Sequence, residues 1–176
     1  MPRPLQRLIA ALDRRFGHCG AGVLLLGELR QVRRYLLDPE LKARVDARTR
    51  EAAQGCRVLV GHSLGSVVAF EYVRQHPDHQ LELLLTLGSP LGLRLIRELL
   101  PDADFTAAWR PPNVAVWVNV RDRRDPVAAA GPLDVLWAGV EDVVVDNEKS
   151  AHSVERYLSK AKVGAVIRAA LPELAP

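Results

Sequence analysis

Residues 57–70 read RVLVGHSLGSVVAF, in which an apolar strand leads through the pattern G-x-S-x-G directly into an apolar helix. This pattern is typical of a nucleophile elbow, a tight turn that holds a serine hydroxyl clear of the backbone. Gly61 and Gly65 are expected to remove side chains that would collide in the turn. Ser63 then precedes a helix N-terminus, where free N–H groups favour a developing negative charge, and the N–H of Leu64 is the nearest oxyanion donor. The alternative is an idle serine on a turn softened by glycine.

Length and composition indicate one globular domain, because 176 residues with 48% apolar content can bury a sizeable core. The formal net charge is +3, and the basic excess lies in residues 1–56, which hold 11 Lys and Arg against 6 Asp and Glu. These basic residues are interleaved with acids and the chain has few aromatics, so solvated helix faces are favoured over contact with lipid. We predict no nucleic-acid partner.

The two cysteines, Cys19 and Cys56, are too few for a disulfide framework and lack metal-ligand spacing. A reducing, cytoplasmic location fits this usage. Charged residues interrupt the apolar positions near the N-terminus, and the run from Val23 to Leu26 is too short to cross a bilayer. We therefore expect no secretory leader and no transmembrane segment, and no constellation requires a metal or another cofactor.

The first third of the chain is predicted to be helical. Apolar residues recur at helical spacing up to a helix end near Gly17, and a second helix is expected from about Val23 to Leu37. Asp38 as N-cap and Pro39 at the first helical position predict a third helix, which ends near Ala53. Residues 1–56 are thus predicted to form a helical N-terminal segment packed on a core of residues 57–176.

From residue 57 onwards, strand and helix patterns alternate. Three apolar runs follow the elbow strand and are predicted to be strands: Leu81–Leu87, Asn113–Val120 and Val140–Val145. Helices are predicted from Leu91 to Leu100 and at the end of the chain, where the inner stripe is expected to comprise Val154, Tyr157, Leu158, Ala161 and Ala165. The fold class is therefore α/β, with a parallel sheet of about four recognisable strands flanked by helices.

Candidate functional residues follow the carboxyl ends of these strands, where parallel sheets gather their sites. Ser63, the pair Asp122 and Asp125, and His152 all fall there. Acyl transfer by serine needs an imidazole base and a carboxylate that orients it, and the chain supplies them in the order Ser, Asp, His.

Other histidines compete with His152 for the role of base. The side chain of His62 is expected to diverge from that of Ser63, His76 and His79 lie at the opposite edge of the sheet, and His18 lies in the helical first third. His152 alone occupies a loop that leaves the carboxyl end of a strand, although a helix-capping or solvent histidine is the alternative interpretation.

Asp125 is preferred to Asp122 as the orienting acid. The sequence Asp-Pro-Val after the loop is expected to hold Asp125 facing inward, whereas three arginines flank Asp122 and favour salt bridges on the surface. Ser89 is expected to be a turn residue rather than a second nucleophile.

Four separated segments together resemble the α/β-hydrolase superfamily, and more narrowly its bacterial lipase-like and esterase-like serine hydrolases: GHSLGSVVA (61–69), LTLGSPLG (85–92), WVNVRDRRDPVA (117–128) and NEKSAHSVERYL (147–158). The resemblance covers residues 57 to about 170. It implies Ser63 as nucleophile, His152 as general base, Asp125 as the residue that orients it, and the Leu64 N–H in the oxyanion hole.

The chain departs from this resemblance because the strands that usually precede the elbow strand are not visible. One edge of the elbow strand is therefore expected to stay unpaired unless the N-terminal helices or another chain cover it. Self-association through this uncovered sheet edge is one expected consequence.

Two hypotheses of function follow. The first is a serine hydrolase that cleaves a small-molecule ester, thioester, lipid or amide through an acyl-enzyme on Ser63. The second is a truncated or non-catalytic module of the same fold that acts in binding. Apolar residues near the elbow suit either a pocket for an acyl chain or the core: Leu64, Leu91, Phe105 and Trp109.

Overall fold

A computed structural model describes residues 3–16, 20–101 and 109–174. Its centre is a four-stranded parallel sheet in the order β1-β2-β3-β4. The strands are β1 (Val58–His62), β2 (Leu81–Leu87), β3 (Val114–Asp122) and β4 (Val140–Val145). This confirms the predicted fold class, and β2 and β4 have the predicted bounds. β3 runs two residues further than predicted, so Asp122 is the last residue of the strand.

Seven helices accompany the sheet in the described part of the chain: α1 (Arg3–Phe16), α2 (Ala21–Leu37), α3 (Pro39–Ala52), α4 (Leu64–Gln75), α5 (Arg94–Arg97), α6 (Val154–Leu158) and α7 (Ala161–Ala170). The break between α2 and α3 is the predicted one, because the Asp38 side chain accepts a hydrogen bond from the N–H of Leu41 at 3.0 Å and Pro39 begins α3. The division of the chain at residue 56 stays a prediction. No helix among the described residues is both long and apolar enough to cross a bilayer.

Two apolar layers cover the sheet, because successive side chains of a strand point to opposite faces. On one face Leu84 and Trp117 pack with Phe70 of α4 and Tyr35 of α2. On the other, Leu85 and further strand residues pack with α6 and α7. The register sets this alternation, since Leu84 lies beside Trp117 and Leu85 beside Val118.

The C-terminal helical region differs from its prediction. The expected single helix is broken at Ser159 and Lys160, which form the C-cap of α6 and the N-cap of α7. The break changes which residues of α7 face the sheet. Tyr157 and Val163 are buried, whereas three residues of the predicted inner stripe are exposed: Leu158, Ala161 and Ala165.

The region after β2 also differs, because the predicted helix from Leu91 to Leu100 is interrupted. It consists of a short 3₁₀ turn at Pro90–Gly92 followed by the single turn of α5.

Strand β1 lies at one edge of the sheet and pairs only with β2 among the described residues. The side chain of Val60 is 43% exposed there. A groove beside β1 is lined by residues of α3, by Cys56, and by Val58 and Leu59 of the strand. The N-terminal helices therefore lie near the edge of β1 without pairing with its backbone.

Candidate active site

The turn at Ser63 has the backbone of a strained elbow. Ser63 adopts φ 53° and ψ −124°, between the end of β1 and the start of α4. A Cβ on Gly61 would lie 2.5 Å from the carbonyl oxygen of Gly65 and 2.6 Å from the Cα of Ser66. Gly61 thus removes a collision as expected. A Cβ on Gly65 would meet nothing within 4 Å beyond its own helix, so the expected collision at that glycine is wrong.

The structure brings the three predicted side chains together. The Oγ of Ser63 lies 3.0 Å from Nε2 of His152, and Nδ1 of His152 lies 2.8 Å and 2.9 Å from the two carboxylate oxygens of Asp125. Asp125 is fully buried, and the side chain of His152 is 11% exposed. Leu64 is the first residue of α4, so its N–H belongs to the first turn, where no helical carbonyl pairs with it.

The Asp125 carboxylate is held by two further donors. The N–H of Val127 donates to Oδ1 at 2.9 Å, and the hydroxyl of Tyr157 donates to Oδ2 at 2.7 Å. Burial, followed by the Asp125 carboxylate, raises the pKa of Tyr157 above its ordinary value, so the hydroxyl keeps its proton and remains a donor. Asp125 faces inward, as the Asp-Pro-Val sequence indicates.

Asp122 has a different place from the one expected. It is 2% exposed rather than on the surface, although Nε of Arg124 does lie 3.6 Å from its Oδ1. Its carboxylate accepts from the N–H of Arg124 at 2.7 Å and from the N–H of Asn147 at 2.5 Å. The physical reason is that these backbone donors compensate the burial of the charge, so the adjacent arginines need not hold it at the surface.

The loop that carries His152 is anchored by Asn147 and His62. The side-chain amide of Asn147 donates to the carbonyl of Ala151 at 3.0 Å. Nε2 of His62 lies 2.9 Å from the carbonyl of His152, and the two rings are 4.5 Å apart. Burial, followed by the nearness of His152, lowers the pKa of His62, so neutral His62 donates its Nε2–H to that carbonyl. The side chain of His62, which was expected to diverge from that of Ser63, contacts the carbonyl and the ring of His152.

Glu28 was not found by sequence reasoning. It lies on α2, is half-buried, and its Oε2 accepts a hydrogen bond from the Ser63 hydroxyl at 2.6 Å. The only signal in the sequence is a single acid that interrupts the apolar run of α2. Its neighbour in space lies 35 residues away along the chain, so spacing could not have predicted the contact.

The remaining candidates hydrogen-bond to groups other than the Ser63 hydroxyl. His79 is bonded to the Tyr72 hydroxyl and to the carbonyl of Cys56, and His76 bonds the carbonyl of Tyr72. Ser89 accepts from the N–H of Leu91 at 3.2 Å, as a turn residue does. His18 and Cys19 lie outside the described residues.

The expected apolar pocket residues belong largely to the core. Trp109 packs against Phe70 at 5.4 Å between ring centroids, and Leu91 is fully buried in the same cluster. Leu64 is half-buried beside this cluster, while Phe105 lies outside the described residues. No group of three or more His, Cys, Asp or Glu side chains in the described part of the chain is arranged to hold a metal ion.

Comparison with known proteins gives one match, to the model of a family described as "Putative esterase", which covers residues 28–155. No curated protein and no solved structure matches the chain. The matched range includes Glu28, the elbow and the loop of His152, and it spans well over half of the 176 residues. The chain therefore belongs to this esterase family of the α/β-hydrolase superfamily, which makes it an esterase-like hydrolase.

Proposed function

We propose that the protein is a serine hydrolase that cleaves a small-molecule ester, thioester, lipid or amide through an acyl-enzyme on Ser63. The observation that carries this proposal is the line of contacts from the Ser63 hydroxyl through the His152 ring to the Asp125 carboxylate, with separations of 3.0 Å and 2.8 Å. These separations lie within the range over which a proton is transferred between hydrogen-bonded groups.

In the first half of the reaction, Nε2 of His152 takes the hydroxyl proton while Oγ of Ser63 bonds to the carbonyl carbon. The carbonyl oxygen becomes an oxyanion, and the N–H of Leu64 donates to it. His152 then gives its proton to the leaving group as the bond to that group breaks. Asp125 stabilises the charged imidazole and keeps Nδ1 protonated.

In the second half, a water molecule replaces the leaving group. His152 takes a proton from the water as the water oxygen attacks the acyl carbon, and returns it to Oγ of Ser63 as the ester bond breaks. The products are a carboxylic acid and the enzyme with its Ser63 hydroxyl restored.

Labelling with a fluorophosphonate probe tests the proposal, because the probe bonds covalently to an activated serine. We expect labelling of the wild type and none of Ser63→Ala. Ser159→Ala, which changes an exposed serine at the end of α6, is the matched control and should label like the wild type. Folded wild-type protein that resists the probe would refute the proposed mechanism.

A second candidate function, a binding module, is favoured by the exposed edge of β1, where Val60 is 43% exposed and the backbone faces no strand among the described residues. An uncovered edge can pair with the same edge of a second copy. Light scattering coupled to size exclusion would detect such pairing. A monodisperse monomer that turns over esters would exclude this function.

A further inference from the structure

The hydroxyl of Ser63 has two acceptors in this structure. Oε2 of Glu28 lies 2.6 Å from Oγ, and Nε2 of His152 lies 3.0 Å from it. A carboxylate only accepts, and Nε2 is also an acceptor when Nδ1 carries the ring proton toward Asp125. Because a hydroxyl has one proton, Glu28 and His152 compete for it, and the proton must turn to His152 before Oγ can attack.

Glu28 is also a carboxylate without a salt bridge among the described residues, although it lies near enough to the neutral His62 ring to act on its pKa. It is half-buried on α2, and no Lys, Arg or His of the described residues lies within ion-pair distance of it. The acid nearest to it through the serine and histidine, Asp125, is likewise negative and fully buried. A half-buried anion at the nucleophile favours a ligand that brings positive charge.

The position and the charge of Glu28 together favour positively charged substrates. A substrate with an ammonium group close to its scissile carbonyl can pair with Glu28 as it binds. The carboxylate then faces a full positive charge, whose Coulomb attraction competes with the hydrogen bond from the serine hydroxyl, and the hydroxyl is released to donate to His152. A neutral substrate of the same shape leaves the competition between Glu28 and His152 in place.

We propose that Glu28 is a specificity-determining residue, which selects esters or amides that carry a cationic group next to the scissile carbonyl. This inference rests on the proposed function, since it assumes that Ser63 is the nucleophile. Anionic acyl groups are disfavoured by the same carboxylate.

The test compares a choline ester with its uncharged isostere, in which carbon replaces the quaternary nitrogen. For the wild type we expect kcat/KM to be about tenfold higher for the choline ester than for its uncharged isostere. This ratio lies between the small effect of an exposed ion pair and the larger effect of a buried one, because Glu28 is half-buried. Glu28→Gln keeps a similar size and an acceptor for Ser63 but loses the charge, and should abolish this preference. Glu51→Gln, which neutralises an acid that is 74% exposed, should keep it.

A structural role for Glu28 would lower turnover of both esters equally and leave their ratio unchanged. That result, with turnover still dependent on Ser63, would overturn the inference and leave the proposed function intact. If neither ester is turned over and the fluorophosphonate probe does not label Ser63, the proposed function fails. In that case NMR titration of wild type and Glu28→Gln with choline and with its carbon isostere decides the inference. Equal affinities of both proteins for choline would refute it.

Discussion

Gly88 gives the sharpest structural prediction, because it lies directly behind the Asp125 carboxylate. It follows β2 with φ +53°, and its N–H donates to the carbonyl of Val120 at 2.9 Å. A Cβ at this position would lie 2.6 Å from Oδ2 of Asp125, 3.1 Å from a ring carbon of Tyr157 and 3.2 Å from Nδ1 of His152. Gly88→Ala should therefore displace the carboxylate from both of its side-chain partners.

Gly88→Ala should lower the free energy of unfolding in two ways. The left-handed backbone costs an alanine about 1–2 kcal/mol. Ordinary contact begins at 3.4 Å, so Oδ2 must move by about 0.8 Å, and this weakens hydrogen bonds to a charged group that are worth about 1.5–3 kcal/mol each. We expect a total loss of about 2–4 kcal/mol, or a Tm about 6–12 °C lower.

Gly55→Ala separates the two parts, since Gly55 has φ +72° and a Cβ there would meet nothing within 4 Å. Gly55→Ala should lose only the backbone part of the stability, about 1–2 kcal/mol. Thermal unfolding of both variants, followed by circular dichroism, measures the difference. Ester turnover by Gly88→Ala should also fall by about 100-fold, because the Asp125 carboxylate that orients His152 is displaced by a large fraction of an ångström. Equal Tm values for the two variants would refute the packing argument.

Two further predictions concern groups around Asp125 and His152. Tyr157→Phe leaves the buried N–H of Asp122 without the hydroxyl that accepts its hydrogen bond at 2.9 Å, and it removes a hydrogen-bond donor from Asp125. The free energy of unfolding should therefore drop by about 2 kcal/mol and Tm by about 4–8 °C. An unchanged melting curve would contradict this expectation. The lowered pKa of His62 means that the unfolded chain binds more protons below the ordinary value of 6.5, so wild-type stability should fall as the pH drops through and below that value. The Tm of His62→Gln should depend less on pH between pH 7.5 and 5 than the Tm of the wild type does. An equally steep dependence in both proteins would show that His62 is not the group responsible.

Local patterns were sufficient for the elements of the fold. Strands β2 and β4 and the start of α3 at Pro39 lie where the sequence predicts them, because burial, turn residues and capping act over a few neighbours. Prediction from pattern was wrong where a cap interrupts a periodic stretch. Ser159 and Lys160 divide the last helix, and the shift in phase exposes Ala161.

The candidate site was predictable only in part. The order of Ser63, Asp125 and His152 along parallel strands indicates that they meet, since every strand delivers its next loop to the same edge of the sheet. The supporting groups carry no such signal. The burial of Asp122 depends on the N–H of Asn147, which lies 25 residues later in the loop that follows the neighbouring strand β4.

Local sequence was enough for the α/β architecture and for the meeting of Ser63, Asp125 and His152 at the carboxyl edge of the sheet, because both follow from short-range periodicity and from the geometry of parallel strands. Tertiary packing alone brings Glu28 to the Ser63 hydroxyl, sets Tyr157 and Gly88 around the Asp125 carboxylate, and places His62 against the loop of His152. These contacts join residues of different elements through packing angles and side-chain rotamers, which no spacing along the chain encodes.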